Sequence, residues 1–194
     1  PGAANIDTEP AKPLFSHKHF VWAVVAQFFN VSAQGGTWAF FINYGQEVMH
    51  FSQNTAGEYM MLFMAMMALG RIVGTALMRV IAPNKLLAAF AMGSIVSCIL
   101  AAQGMGWASY VALLMINFFF SIMFPTIFSL GLKNLGAHTQ QASSFISMGV
   151  VGGAFFPFVM GLIANHNVAS AYYLPIVCYA VIFMFGFKLY KVKG

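Results

Sequence analysis

Eight of the nine Lys and Arg residues in this chain border long apolar runs, and they fall in alternate gaps between those runs. Lys12 and Lys18 precede the first run, Arg79 and Lys85 flank one gap, Lys133 sits in another, and Lys188, Lys191 and Lys193 close the chain. The gaps between them carry no Lys or Arg. Short loops rich in Lys and Arg stay on the cytoplasmic side of a bilayer, so the pattern predicts six crossings with both ends in the cytoplasm. The ninth basic residue, Arg71, falls inside a run and is the first functional clue.

The runs extend from Phe20 to Val48, Glu58 to Ile81, Leu86 to Met105, Tyr110 to Leu132, Ala142 to Ala164 and Ala171 to Tyr190. Each reaches the ~20 residues needed to cross a hydrocarbon layer as a helix. Hydrophobic residues make up 60% of the chain and charged residues 7%, against roughly 25% charged in an average soluble domain. Lipid offers the backbone no hydrogen-bond partners, so six such runs predict an all-α membrane protein of six transmembrane helices. We divide it into a linker over 1–19, a bundle over 20–190 and a tail over 191–194. The segment Pro1 to Pro13 is polar, carries three prolines and reads as the end of a flexible linker.

Several kinds of chemistry find no residues to carry them. The acids are Asp7 and Glu9 near the start, and Glu47 and Glu58 at the edges of the first external gap, so no carboxylate lies deep in a span. The five histidines (His17, His19, His50, His138 and His166) all lie in tails or gaps without metal-binding helical spacing, and no nucleophile stands with a His and an acid. We expect neither an enzyme nor a metal site. The net charge of +5 is spread over several gaps and reads as topology and lipid-headgroup contact rather than nucleic-acid binding. Cys98 and Cys178, each mid-span, read as packing residues.

What remains is a set of neutral polar and aromatic side chains in the spans. In the first run Gln27, Asn30, Gln34, Trp38 and Phe41 are three or four residues apart and share a helix face. Amides donate to and accept from hydroxyls, and an aromatic ring stacks on the apolar face of a pyranose, so this face suits a sugar. The same amides are also able to bridge neighbouring helices. Gly35 and Gly36 predict a bend next to Gln34, because interrupted helices at mid-depth recur at transporter binding sites. The fourth run repeats the arrangement with Asn117, Ser121, Phe124 and Phe128, and Pro125 predicts a kink. Two such spans three helices apart suggest two three-helix repeats of inverted topology.

Arg71 lies eight residues before Arg79, roughly 12 Å along a helix and too deep to snorkel easily. Its partners are then carbonyls, a substrate, or a group from elsewhere. Gly70 and Gly74 beside it permit close helix approach, and the small residues Ser143, Ser147, Gly149, Gly153 and Gly161 of the fifth run read as a packing surface. The cluster Met60, Met61, Met64, Met66 and Met67 reads as adaptable packing.

Three stretches carry a resemblance. Ala33 to Tyr44 (AQGGTWAFFINY), Gly70 to Lys85 (GRIVGTALMRVIAPNK) and Pro125 to Gly153 (PTIFSLGLKNLGAHTQQASSFISMGVVGG) resemble the C-terminal half of the fucose:proton symporter family, within the major facilitator superfamily. The resemblance runs from about Phe20 onward. It implies helices seven to twelve of a twelve-helix transporter in a bacterial-type inner membrane, moving L-fucose with a proton as coupling ion and no cofactor. The missing N-terminal half would supply the proton-carrying acids, one of them a partner for the cavity-facing Arg71. Gln34, Trp38 and Asn117 would fall on cavity-lining helices, and the substrate set is Gln34, Trp38, Asn30, Phe41, Asn117, Ser121 and Phe124. Some fucose permeases have Tyr where this chain has Phe124, which removes a hydroxyl. Glucose or galactose transport is the alternative within the family, and a noncatalytic six-helix scaffold is the alternative outside it.

Overall fold

The computed structural model describes residues 13–192, so the linker expectation for the segment before Pro13 lies outside the described residues, as do Lys12 and Lys193. Every regular element in that range is a helix. The helices are α1 (Lys18–Ala39), α2 (Phe41–Val48), α3 (Gln53–Leu77), α4 (Pro83–Ala102), α5 (Trp107–Phe120), α6 (Met123–Gly131), α7 (Thr139–Ser147), α8 (Gly152–Ala164), α9 (Val168–Ala171) and α10 (Leu174–Met184). A π-turn, Phe185–Leu189, extends α10. Five helical segments are long and apolar enough to cross a membrane: Gln53–Leu77, Pro83–Ala102, Trp107–Gly131, Gly136–Ala164 and Val168–Leu189. The sixth is α1 with its continuation α2; α1 alone has 22 residues, enough to span, and the polar residues Gln27, Asn30 and Gln34 dilute its apolar character.

Local signals set the ends. Ser52 caps α3, its Oγ accepting from the Thr55 amide at 3.2 Å, and Asn167 caps α9 through the Ala169 and Ser170 amides. Pro83 opens α4 at a position where its missing N–H costs nothing.

α1 is the central helix, packed against α6, α7, α8 and α10, while α3 leans mainly on α5 and α2. The upper core is aromatic. Phe41 stacks on Phe63 with ring centroids 4.3 Å apart, and Tyr44, Tyr110 and Tyr172 close around them. Two of the buried tyrosines reach backbone acceptors: Tyr44 donates to the Ala101 carbonyl and Tyr172 to that of Thr37, the usual arrangement for a buried hydroxyl. Two stretches keep bare apolar faces. Met61, Leu62, Leu69 and Ile72 on α3, and Phe155, Phe158 and Leu162 on α8, are exposed.

Glycines permit the closest approaches. Gly149, Gly152 and Gly153 face the α1 backbone and side chains at Gln27, Phe28, Val31 and Ser32, which explains the run of small residues in the fifth span. The expectation of a bend at Gly35 and Gly36 is corrected: both lie inside unbroken α1, and the break falls at Phe40. Their small size admits neighbours instead, since a Cβ on Gly35 would sit 3.0 Å from the Gly153 carbonyl oxygen and one on Gly36 would meet Met160 and Phe156.

Gly70 and Gly74 press α3 onto the break between α5 and α6. A Cβ on Gly70 would lie 2.6 Å from Ser121 Oγ and closer still to the Phe118 carbonyl oxygen, whereas one on Gly57 meets nothing within 4 Å. Gly70→Ala is expected to destabilise by about 1–3 kcal/mol through overpacking. Gly57→Ala, on the same helix, is expected to be neutral or to stabilise by up to about 1 kcal/mol. Thermal melts of the detergent-purified protein check both.

Candidate functional site

The site is organised by the break in the fourth span. Pro125 has no N–H, so the carbonyl four residues earlier, Ser121, loses its helical donor. The helix yields there: α5 ends at Phe120, Ser121 and Ile122 form a turn, and α6 resumes at Met123. The expected kink at Pro125 is thus present, displaced one turn toward the N-terminus. Arg71 Nη2 lies 3.5 Å from the freed Ser121 carbonyl, a long charge-assisted contact. Ser121 Oγ is turned to the Phe118 carbonyl at 2.7 Å.

α1 grips both sides of this break. Above it, Trp38 Nε1 donates to Asn117 Oδ1 at 3.0 Å, and Asn117 Nδ2 donates to the Phe63 carbonyl of α3 at 2.7 Å. One amide therefore ties three spans together. Below the break, Gln27 Nε2 donates to the Phe124 carbonyl at 3.3 Å, and Asn30 Nδ2 donates to Gln27 Oε1 at 3.1 Å. Asn30 Oδ1 is buried without a donor. Between the two grips, on the same helix face, Gln34 is half-buried, as is Trp38.

The candidate residues separate accordingly. Gln34, Trp38 and Phe124 keep part of their surface open, and Arg71 is exposed. Asn30, Phe41, Asn117 and Ser121, expected from the sequence to bind substrate, are each buried in this chain. Phe41 is fully enclosed by aromatic rings, and the polar groups of Asn117 and Ser121 already have protein partners. Helical spacing placed them on the right face, but it carries no information on which neighbour covers that face.

A cavity of about 560 Å³ opens beside Arg71, lined also by Thr75, Phe124, Pro125, Thr126 and Ser129. It reaches Arg71 and Phe124 but is not lined by Gln34 or Trp38, so the open candidates lie in two groups on either side of the break. Thr75 and Ser129 were missed from the sequence. Their signal was the four-residue spacing from Arg71 and from Pro125, which sets them one turn along the same faces.

The chain is 40% identical over 172 residues to the L-fucose-proton symporter of Escherichia coli (strain K12), covering 87% of this chain and 39% of that protein. It is 39% identical over 186 residues to a Helicobacter pylori protein whose name proposes glucose/galactose transport, covering 93% of this chain and 46% of that one. A crystal structure of a variant of the E. coli fucose:proton symporter superposes with a TM-score of 0.87 at 40% identity, over 89% of this chain and 43% of that chain. A major facilitator superfamily transporter in the outward conformation gives 0.85, with 87% and 42% covered. The chain belongs to this family of sugar transporters. It spans less than half the length of these relatives and corresponds to their C-terminal six-helix half. No family model matches the sequence. The all-α fold, with its six spans, is that of half a major facilitator transporter.

The Trp38 to Asn117 bond yields a direct test. In a double-mutant cycle with Trp38→Phe and Asn117→Leu, the two changes are expected to be non-additive, with a coupling of about 0.5–1.5 kcal/mol. Denaturation of the detergent-purified protein measures it, and strict additivity would mean that the two side chains do not bond.

Proposed function

We propose that this chain is one wall of a sugar:proton symporter that works by alternating access, and that L-fucose is its sugar. The observation that carries the reading is the half-buried Trp38, fixed by Asn117 and followed along the same face by Gln34. An indole held edge-on by its own N–H offers its π-face to the apolar face of a pyranose, while a primary amide one turn away serves the hydroxyls in both directions. Phe124, on the other side of the break, adds an apolar surface without a hydroxyl.

Coupling falls to Arg71. Its guanidinium stands at an open cavity, and the acids of the described residues, Glu47 and Glu58, lie in the last turn of α2 and the second turn of α3, on either side of the short connection between them. The freed Ser121 carbonyl gives it a neutral resting acceptor that a carboxylate of the opposite half would displace when ionised. Protonation of that acid would release Arg71, which links proton binding to the closeness of the two halves. The bare apolar faces of α3 and α8 are the surfaces on which the missing N-terminal half and the lipid would pack. The Lys-rich gaps and both ends lie in the cytoplasm, and the host bilayer is a bacterial-type inner membrane.

Glucose/galactose transport is the second reading. It is favoured by relatives of that name at an identity matching that of the fucose symporter.

Proteoliposomes holding the complete protein separate these. Uptake of labelled L-fucose driven by a proton gradient is expected, with unlabelled glucose and galactose competing poorly; strong competition by those sugars selects the second reading. Trp38→Ala is expected to lower uptake at least tenfold in a protein that still folds. Arg71→Ala is expected to abolish gradient-driven uptake while preserving sugar exchange at equal pH. Loss of both in parallel would remove Arg71 from coupling.

A further inference from the structure

Four lysines, from two separate gaps and the end of the last run, line one crevice at the Lys-rich end of the bundle, and neither the sugar site nor topology alone requires them to meet. The crevice has two lobes. One, of about 470 Å³, is lined by Asn84, Lys85, Ala88, Phe187, Lys188, Tyr190 and Lys191. The other, of about 700 Å³, shares Asn84 and Tyr190 and adds Lys133 with Phe128, Leu130 and Leu132. All four lysines are exposed, so their ammonium groups are free to turn toward a common ligand.

The lobes are built by close backbone packing. Asn84 Nδ2 donates to the Gly186 carbonyl at 3.3 Å. A Cβ on Gly186 would lie 2.9 Å from the Asn84 carbonyl oxygen, so the start of α4 and the end of α10 touch there. The π-turn closes when the Tyr190 amide donates to the Phe185 carbonyl at 2.9 Å, across five residues. That extra residue shifts the helix register. Lys188 in the π-turn and Lys191 just past its end line the same lobe as Lys85. The crevice also has an apolar side: Phe187 is exposed and stacks on Phe183 with ring centroids 5.7 Å apart and planes 8° from parallel.

We infer that this crevice binds the headgroup of an anionic phospholipid, its phosphate among Lys85, Lys188 and Lys191 and its acyl chain along Phe187 and Phe183. Like charges gathered at one rim repel until an anion joins them, and the acids Glu47 and Glu58 lie on α2 and α3 beside the 49–52 connection, away from these lysines. A free phosphate would satisfy the lysines but leave the aromatic side unused. A phospholipid at the bilayer edge satisfies both, and each lysine near an anionic headgroup contributes on the order of 1 kcal/mol.

The test is lipid retention by the complete protein in nanodiscs and by native mass spectrometry, with phosphatidylglycerol and phosphatidylcholine as probes. Phosphatidylglycerol is expected to be retained preferentially. The triple change Lys85→Ala, Lys188→Ala and Lys191→Ala is expected to weaken that retention on the order of 100-fold. Arg79→Ala, at the same end of the bundle but outside the crevice, is expected to leave it intact. Lys188→Gln alone, with a several-fold loss expected, serves if the triple variant does not fold. Equal retention of the two lipids would overturn the assignment, as would equal loss in Arg79→Ala. So would displacement of the lipid by millimolar inorganic phosphate at constant ionic strength.

Discussion

The missing amide hydrogen of Pro125 is the constraint on which the rest of the site depends. It leaves the Ser121 carbonyl without a helical donor, opens a turn at Ser121 and Ile122, and divides the fourth span into α5 and α6. In hydrocarbon an unpaired backbone carbonyl is costly, so a break at this depth needs protein groups around it. The bundle supplies them from two directions. Gly70 and Gly74 let α3 press against the turn and bring Arg71 to the freed carbonyl, and α1 reaches across with Gln27 below and Trp38 above.

The same economy explains how a polar face survives in an apolar chain. Asn117 uses its oxygen for Trp38 and its nitrogen for the Phe63 carbonyl, so one buried amide is satisfied while an aromatic ring is oriented. Asn30 and Gln27 form the corresponding pair at the other end of α1. The chain thus spends its fully buried amides on holding helices and leaves Gln34 and Arg71 open.

Much of this was legible in the sequence. The long apolar runs marked the spans, and the spacing of Gly70 and Gly74 pointed to a close contact that α3 makes with Phe118, Ser121 and Ile122. Pro125 located the break to within a turn. Gly35 and Gly36 misled because glycine in a membrane helix serves close packing as readily as bending, and here Gly153, Phe156 and Met160 fill the space beside them. Asn117 and Phe41 share a helix face with their open neighbours in the sequence pattern, yet both are buried in the bundle. Periodicity reports a direction around one helix, and burial is decided by what the other helices bring to it. The crevice at Lys85 and Lys188 was invisible for the same reason: charge patterning gives each lysine only an expected side of the membrane, and the packing of α4 on the π-turn brings them together.

The central claim is that the face of α1 bearing Gln34 and Trp38 lines the sugar path. Cys98 and Cys178 are both buried, so thiol labelling reads an introduced cysteine with little background from this chain. The most direct measurement is the rate at which a maleimide labels the Gln34→Cys variant of the complete protein, with and without L-fucose. The account predicts slower labelling as the sugar is raised, with no effect on the same reagent at Gly57→Cys. Labelling at position 34 that is indifferent to L-fucose, glucose and galactose alike, in a protein that still transports, would contradict it.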